Sequence, residues 1–147
     1  MANATTSRVA WFDIPVKQFG RAIRFYGAVL DAAIETRSFP GVEMAFIPGE
    51  RGPIGCLYLH VPDDRDPALL ASAEMLAPAL PWGPQIYLDC GDRLHAAVAA
   101  VDVHGGRILQ PIQQMGDFGF RAPVLDSESN RIVLYAAGLG DGSASHR

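Results

Sequence analysis

Trp11-Phe12-Asp13-Ile14-Pro15-Val16, running straight into Phe19-Gly20-Arg21-Ala22-Ile23-Arg24-Phe25-Tyr26, decides the fold because the chain repeats the pattern later. Gln85-Ile86-Tyr87-Leu88-Asp89-Cys90 leads in the same way into Leu94-His95-Ala96-Ala97-Val98-Ala99-Ala100-Val101. Each copy is an alternating segment, then an apolar segment of helical spacing, then short apolar runs divided by turns. Self-similarity of this kind outranks local propensity as a fold signal. It implies an α+β fold of two β-α-β-β-β modules. Two related modules can face one another and enclose a site that neither makes alone.

Within residues 9–16, Phe12, Ile14 and Val16 point one way and Trp11 and Asp13 the other, because side chains alternate across a strand. A helix near 18–30 places Phe19, Ile23, Tyr26 and Leu30 at helical spacing, so Phe12 and Ile14 are expected beneath it. Residues 33–61 fit three strands broken at Pro40-Gly41 and at Pro48-Gly49-Glu50-Arg51-Gly52-Pro53. In the third, Leu57, Leu59 and Val61 suit the helix-covered face, leaving Cys56, Tyr58 and His60 on the other. In the second module Ile86, Leu88 and Cys90 alternate with Gln85, Tyr87 and Asp89. Asp92 is placed to cap a helix carrying Leu94, Val98 and Val101 that ends at Gly105-Gly106. Strands are expected near 107–112, 118–126 and 131–137, with turns at Met115-Gly116-Asp117 and from Asp126 to Asn130.

The domain therefore covers 8–137, as module one (8–61), a proline-rich connection (62–84) and module two (85–137). Asp66-Pro67 is a good helix start, and Leu69, Leu70, Ala73 and Leu76 make a short amphipathic helix in the connection. A plain linker is the expectation there, with a lid or a dimer surface as alternatives. The tail, 138–147, is polar and glycine-rich and is expected to fray.

At 147 residues the chain suits one domain with a real core, and 49% hydrophobic against 19% charged residues argues against disorder. A net charge of −4, with Lys17 the only lysine and the arginines scattered, leaves no footprint for nucleic acid or an anionic membrane. Cys56 and Cys90 lie in apolar stretches without metal-finger spacing and are expected as buried, reduced thiols. No secretory leader and no run of membrane-spanning length stands out, so a cytoplasmic location is expected.

The Pro15-Val16 strand end leading to Arg21-Ala22-Ile23-Arg24-Phe25-Tyr26 resembles the opening of vicinal oxygen chelate proteins. These include glyoxalase I, extradiol dioxygenases and bleomycin resistance proteins. The closing Leu125-Asp126-Ser127-Glu128-Ser129-Asn130-Arg131-Ile132-Val133-Leu134-Tyr135 resembles their last hairpin, D-P-x-G-N and a strand, with Ser127 and Ser129 replacing Pro and Gly. The resemblance spans about residues 8–137 and implies sheets curled around a central cleft, and a homodimer, with Leu69-Leu70-Leu76 as a candidate surface.

Metal-dependent relatives draw His, Glu or Gln ligands from four cleft positions, which the resemblance maps onto Trp11, a place near Cys56 or Tyr58, Gln85 and Val133. Only Gln85 belongs to that ligand set. Trp11 and Val133 offer no donor to a hard divalent ion, so the family metal is expected to be lost and no cofactor is expected. Asp13, His60, Gln85 and Asp89 are donors for a displaced site, but nothing in their spacing brings them together, and Arg121 and Arg131 are available to pair with such acids. Cys56 and His60 lie about 13 Å apart at ~3.3 Å per residue on one strand, too far for a nucleophile–base dyad. His95 and His104 are expected to face solvent. Asp117-Phe118-Gly119 is read as a turn.

What remains is a cleft lined by Trp11, Tyr58, Tyr87, Tyr135 and one of Phe118 or Phe120. Cys56 and Val133 add to its lining, and Asp13, His60, Gln85, Asp89 and Arg131 supply polar groups. It suits a flat or apolar small organic molecule. The leading expectation is metal-free binding of such a molecule. The alternatives are an active lyase, isomerase or dioxygenase using a displaced metal or an acid–base pair, and a sequestering or regulatory module for a cationic ligand.

Overall fold

β1 (Phe12–Val16) leads into α1 (Phe19–Leu30), β2 (Glu35–Phe39), β3 (Val42–Gly49) and β4 (Gly52–Leu59). After the connection come β5 (Tyr87–Asp89), α2 (Leu94–Val103), β6 (Arg107–Ile108) and β7 (Gln113–Gln114). A 3-10 turn at Gly116–Phe118, β8 (Phe120–Leu125) and β9 (Arg131–Ala136) complete the second module. This is a computed structural model, and it describes residues 8–40, 42–60 and 83–139. The expected helix from Asp66 to Leu76, its leucine surface, Val61 and residues 140–147 of the tail lie outside the described residues. No described helix is long and apolar enough to cross a membrane.

The modules repeat one topology. The first sheet runs β1-β4-β3-β2 and the second β5-β9-β8-β6, with β7 also on β8. In each, the first strand lies parallel to the last, β1 on β4 and β5 on β9, while the hairpins are antiparallel. Ile14, Val16 and Leu57 are buried on the helix side of one sheet, and Leu88, Ile132, Leu134 and Ala136 are buried in the other module. They belong to one cluster that also takes Phe25, Tyr26 and Val29 of α1 and Leu94, Ala97 and Val101 of α2. The modules thus share a core through the helices.

Several local expectations change. The buried line of α1 is Ala22, Phe25, Tyr26 and Val29, while Phe19, Ile23 and Leu30 are only partly buried. The reason is that α1 packs on its own sheet and against α2 as well, which turns the covered stripe toward both. Leu59 is 39% exposed, at the strand end beyond the cover of α1. Asp92 does not cap α2: the N-cap is Arg93, with no side-chain cap bond. The expected 107–112 strand is interrupted, because Leu109 and Gln110 both donate to Pro123 O before pairing resumes at Gln113. Pro48-Gly49 and Gly52-Pro53 stay in the β3–β4 hairpin across a bulge after Ile47, so the turn is confined to Glu50-Arg51. His104 is half-buried past the helix end, its ring bonded to Ala100 O at 3.0 Å.

A second joint holds the modules together. Gln18, the N-cap of α1, makes no side-chain cap bond, so the first amides need another acceptor. Glu128, in the β8–β9 turn, supplies it: its Oε1 accepts from Lys17 N and Gln18 N, both at 2.9 Å. Arg21 closes a two-pronged ion pair on the same carboxylate at 2.7 and 2.9 Å. Asn130 Nδ2 donates to Pro15 O at 2.8 Å. Asp126, buried in the same turn, accepts from the Tyr26 hydroxyl, Glu128 N, Asn130 N and Asn130 Nδ2.

Ser129 sits in this turn at φ 69°, a left-handed conformation that costs a side-chain-bearing residue about 1 kcal/mol. The motif's usual glycine carries no such cost. Ser129→Gly is therefore expected to raise stability by up to about 1 kcal/mol, a modest rise in melting temperature. An unchanged or lowered value would show that the turn gains from the serine in some other way.

Candidate functional site

Away from the helices, each sheet presents a face built from one set of alternating side chains. On the first sheet, Asp13, Cys56 and Phe46 share one cross-strand row and Pro15, Tyr58 and Met44 the next. The Trp11 indole N–H donates to Asp13 Oδ1 at 2.8 Å, and the Cys56 thiol donates to the same oxygen at 3.1 Å. The Trp11 ring meets Phe46 edge-on, centroids 6.1 Å apart. Arg37 lies over the Phe46 ring at 5.8 Å, and Tyr58 and His60 are edge-to-face at 6.5 Å. Asp13 is thus oriented by a tryptophan and a thiol and lies in no ion pair among the described residues.

Cys56 is buried, and burial, followed by the hydrogen bond to Asp13, pushes its thiol up to about 11. Cys90 is likewise driven to about 11 by burial. Both are free cysteines. At neutral pH each is a protonated thiol and a poor nucleophile, because the thiolate is the reactive form.

On the second sheet, Asp89, Tyr135 and Arg121 form one row and Tyr87, Val133 and Pro123 the next. Arg131 follows, paired with Leu125. Arg121 reaches past β9 so that its Nη1 donates to Tyr87 Oη at 2.7 Å. Tyr87 and Tyr135 rings lie 6.2 Å apart at 63°, and Tyr135 Oη donates to Phe118 O at 2.6 Å, fastening β9 to the 3-10 turn. Asp89 accepts from Gly91 N at 2.8 Å, which spends one of its oxygens on a local turn. Gln85 is exposed just before β5. Phe118 is 79% exposed.

The eleven residues expected in one cleft therefore fall into two constellations. Trp11, Asp13, Cys56, Tyr58 and His60 belong to the first sheet, and Gln85, Tyr87, Asp89, Arg131, Val133 and Tyr135 to the second. Among the described residues, no hydrogen bond, ion pair or ring contact joins the two constellations. Arg121 and Arg131, available to pair with these acids, form no ion pair with one among the described residues. Sequence reasoning missed Phe46, visible only through the β3–β4 register, and undervalued Arg121. The alternation of Arg121 with Phe120 and Ala122 was the available signal for the latter.

A divalent ion at the four positions that the resemblance maps onto metal ligands does not fit these side chains. Trp11 offers only an N–H donor, already given to Asp13, and Val133 is an aliphatic side chain with no exposure. Among the described residues, no three His, Cys, Asp or Glu side chains come together in a set able to hold a metal.

Comparison with protein-family models finds no match, and comparison with curated proteins finds none either. Solved structures do match across most of the chain. One is a glyoxylase/bleomycin resistance protein/dioxygenase domain from Frankia sp. EAN1pec, at TM-score 0.62 and 15% identity over 90% of this chain and 93% of that one. A glyoxalase-related enzyme from Fulvimarina pelagi follows at 0.57 and 15%, over 89% and 88%. A glyoxalase I mutant from Zea mays gives 0.57 and 14%, over 94% of this chain and 48% of that longer one. At these identities the likeness establishes the fold.

Proposed function

We propose that this chain, which has the glyoxalase/bleomycin resistance/dioxygenase fold, is a metal-independent binder of a small organic molecule. The ligand takes the sheet faces turned away from the helices. The observation that carries the reading is the Trp11 indole, tied by its N–H to Asp13, at a position that the resemblance maps onto a metal ligand. The indole sets a flat apolar wall beside an oriented carboxylate, a combination suited to a planar molecule with polar substituents. Trp11 and Tyr87 are 39% and 41% exposed, so both faces keep aromatic surface available. The reading includes a cytoplasmic homodimer, to be checked by light scattering.

The test is elemental analysis after incubation with Ni²⁺, Mn²⁺, Fe²⁺ and Zn²⁺, beside a thermal-shift screen of planar organic compounds in chelator. No stoichiometric ion is expected in the wild type. At least one compound is expected to raise the melting temperature of the wild type, with that rise abolished in Trp11→Ala. A stoichiometric ion that disappears in Gln85→Ala overturns the reading and redirects it to metal-assisted lyase or dioxygenase chemistry.

A further inference from the structure

The second sheet holds two half-buried arginines that form no ion pair among the described residues. The Nε atoms of Arg121 and Arg131 are both buried, and neither has a hydrogen-bond partner. An N–H buried without an acceptor is costly. Arg121 spends one N–H on the Tyr87 hydroxyl. Asp89, the acid on the same face, bonds Gly91 N and forms no ion pair with either arginine among the described residues. The chain as a whole carries −4, so acids were available for pairing and are not used here.

The register shows what lies between the two charges. Arg121 stands opposite Tyr135 and Arg131 opposite Leu125, with the row Pro123–Val133–Tyr87 separating them. Four residues along β9, about 13 Å at ~3.3 Å per residue, therefore divide two cationic ends across an apolar and aromatic middle. Long arginine side chains shorten that gap toward the dimension of one small ring bearing an anionic group.

We infer that this face is a site for a small organic anion, a carboxylate or phosphate on a planar apolar body, held by Arg121 and Arg131 with Tyr87 setting the first of them. Arginine suits such groups because its planar fork matches two oxygens at once. The inference deepens the small-molecule reading and rests on it. It also reverses the expectation drawn from net charge, which favoured a cation: the local donors of the site, and not the sum over the chain, select the ligand.

Titration calorimetry with benzoate and phenyl phosphate, against neutral benzamide, tests it. The wild type is expected to prefer benzoate to benzamide. Arg121→Gln and Arg131→Gln are each expected to weaken benzoate about tenfold or more while leaving benzamide unchanged. Tyr87→Phe, which keeps the ring, is expected to weaken benzoate by a smaller factor, and it serves if either glutamine variant fails to fold. Equal affinity for benzoate and benzamide, or benzoate affinity untouched by both glutamine variants, overturns the inference and leaves the small-molecule reading standing. A change of oligomeric state in those variants without a change in benzoate affinity assigns the arginines to a subunit contact and also overturns it. Binding of none of the three probes counts against both.

Discussion

Replacing Glu128 by alanine is expected to cost about 2–4 kcal/mol of folding stability, because hydrogen bonds to a charged group contribute about 1.5–3 kcal/mol each and do not add fully. Its side chain is 1% exposed, and it serves Lys17 N, Gln18 N, Arg21 and the Ser127 hydroxyl. Alanine leaves two backbone amides at the start of α1 with no acceptor and cuts a main tie between the modules. The ion pair itself contributes the smaller share, because Arg21 is 42% exposed and screened by solvent. Arg21→Ala is accordingly expected to cost only about 1 kcal/mol or less. Urea denaturation of both variants separates the two contributions; equal losses would place the weight on the ion pair.

The same carboxylate makes a pH prediction. Burial alone would push Glu128 up, but Arg21, the Gln18 amide, Ser127 and the Lys17 amide outweigh it and hold its carboxyl at about 2, against an ordinary 4.5. A depressed folded-state value means that its stabilisation is full above about 4.5 and is lost as pH falls toward 2. Asp126 acts in the opposite sense, since burial outweighs its donors and raises its carboxyl. Acidification therefore relieves Asp126 while it disarms Glu128. Glu128→Gln is expected to flatten the fall of melting temperature across pH 4.5 to 2. A wild-type slope retained in that variant would place the acid sensitivity elsewhere.

The second large effect belongs to Phe25 and Gly106, a close meeting of the two modules. Phe25 has no exposed surface and lies edge-on to Tyr26, centroids 5.0 Å apart. A methyl group built on Gly106 would fall 2.6 Å from the Phe25 ring, 2.5 Å from Leu125 O and 2.9 Å from Val101. The glycine is thus the notch into which the ring of the other module fits. Phe25→Ala is expected to cost about 3–5 kcal/mol through lost burial and the cavity left behind. Gly106→Ala is expected to cost about 1–3 kcal/mol, with the upper end favoured because the Leu125 carbonyl is backbone and yields little. The double variant should be less destabilised than the sum, since the new methyl group enters space vacated by the ring. It should not be fully rescued, since the clash with Leu125 O remains. Strict additivity in a double-mutant cycle would deny that the two residues share the contact.

Much of the architecture was legible in advance because it rests on local periods. The alternation of Phe12, Ile14 and Val16 against Asp13, and of Leu88 and Cys90 against Tyr87 and Asp89, follows from strand geometry alone and reappears in the burial of these residues. Asp92 does not cap its helix, and the 107–112 strand breaks where Leu109 and Gln110 both turn to the distant Pro123 O. The site was less legible. Residue types on each face were readable, but Trp11 meeting Phe46, Arg121 reaching Tyr87 and the grouping into two constellations were not.

The sequence by itself determined two repeated modules, the face each strand residue takes and the absence of donors at Trp11 and Val133, because these follow from side-chain chemistry and backbone period. Only the tertiary structure decided that Glu128 would cap a helix 110 residues away and that Arg121 would meet Tyr87 across 34. It also left two buried guanidinium nitrogens without a partner. Such contacts depend on strand register and on how two modules dock, and both are set by packing among segments that no local pattern relates.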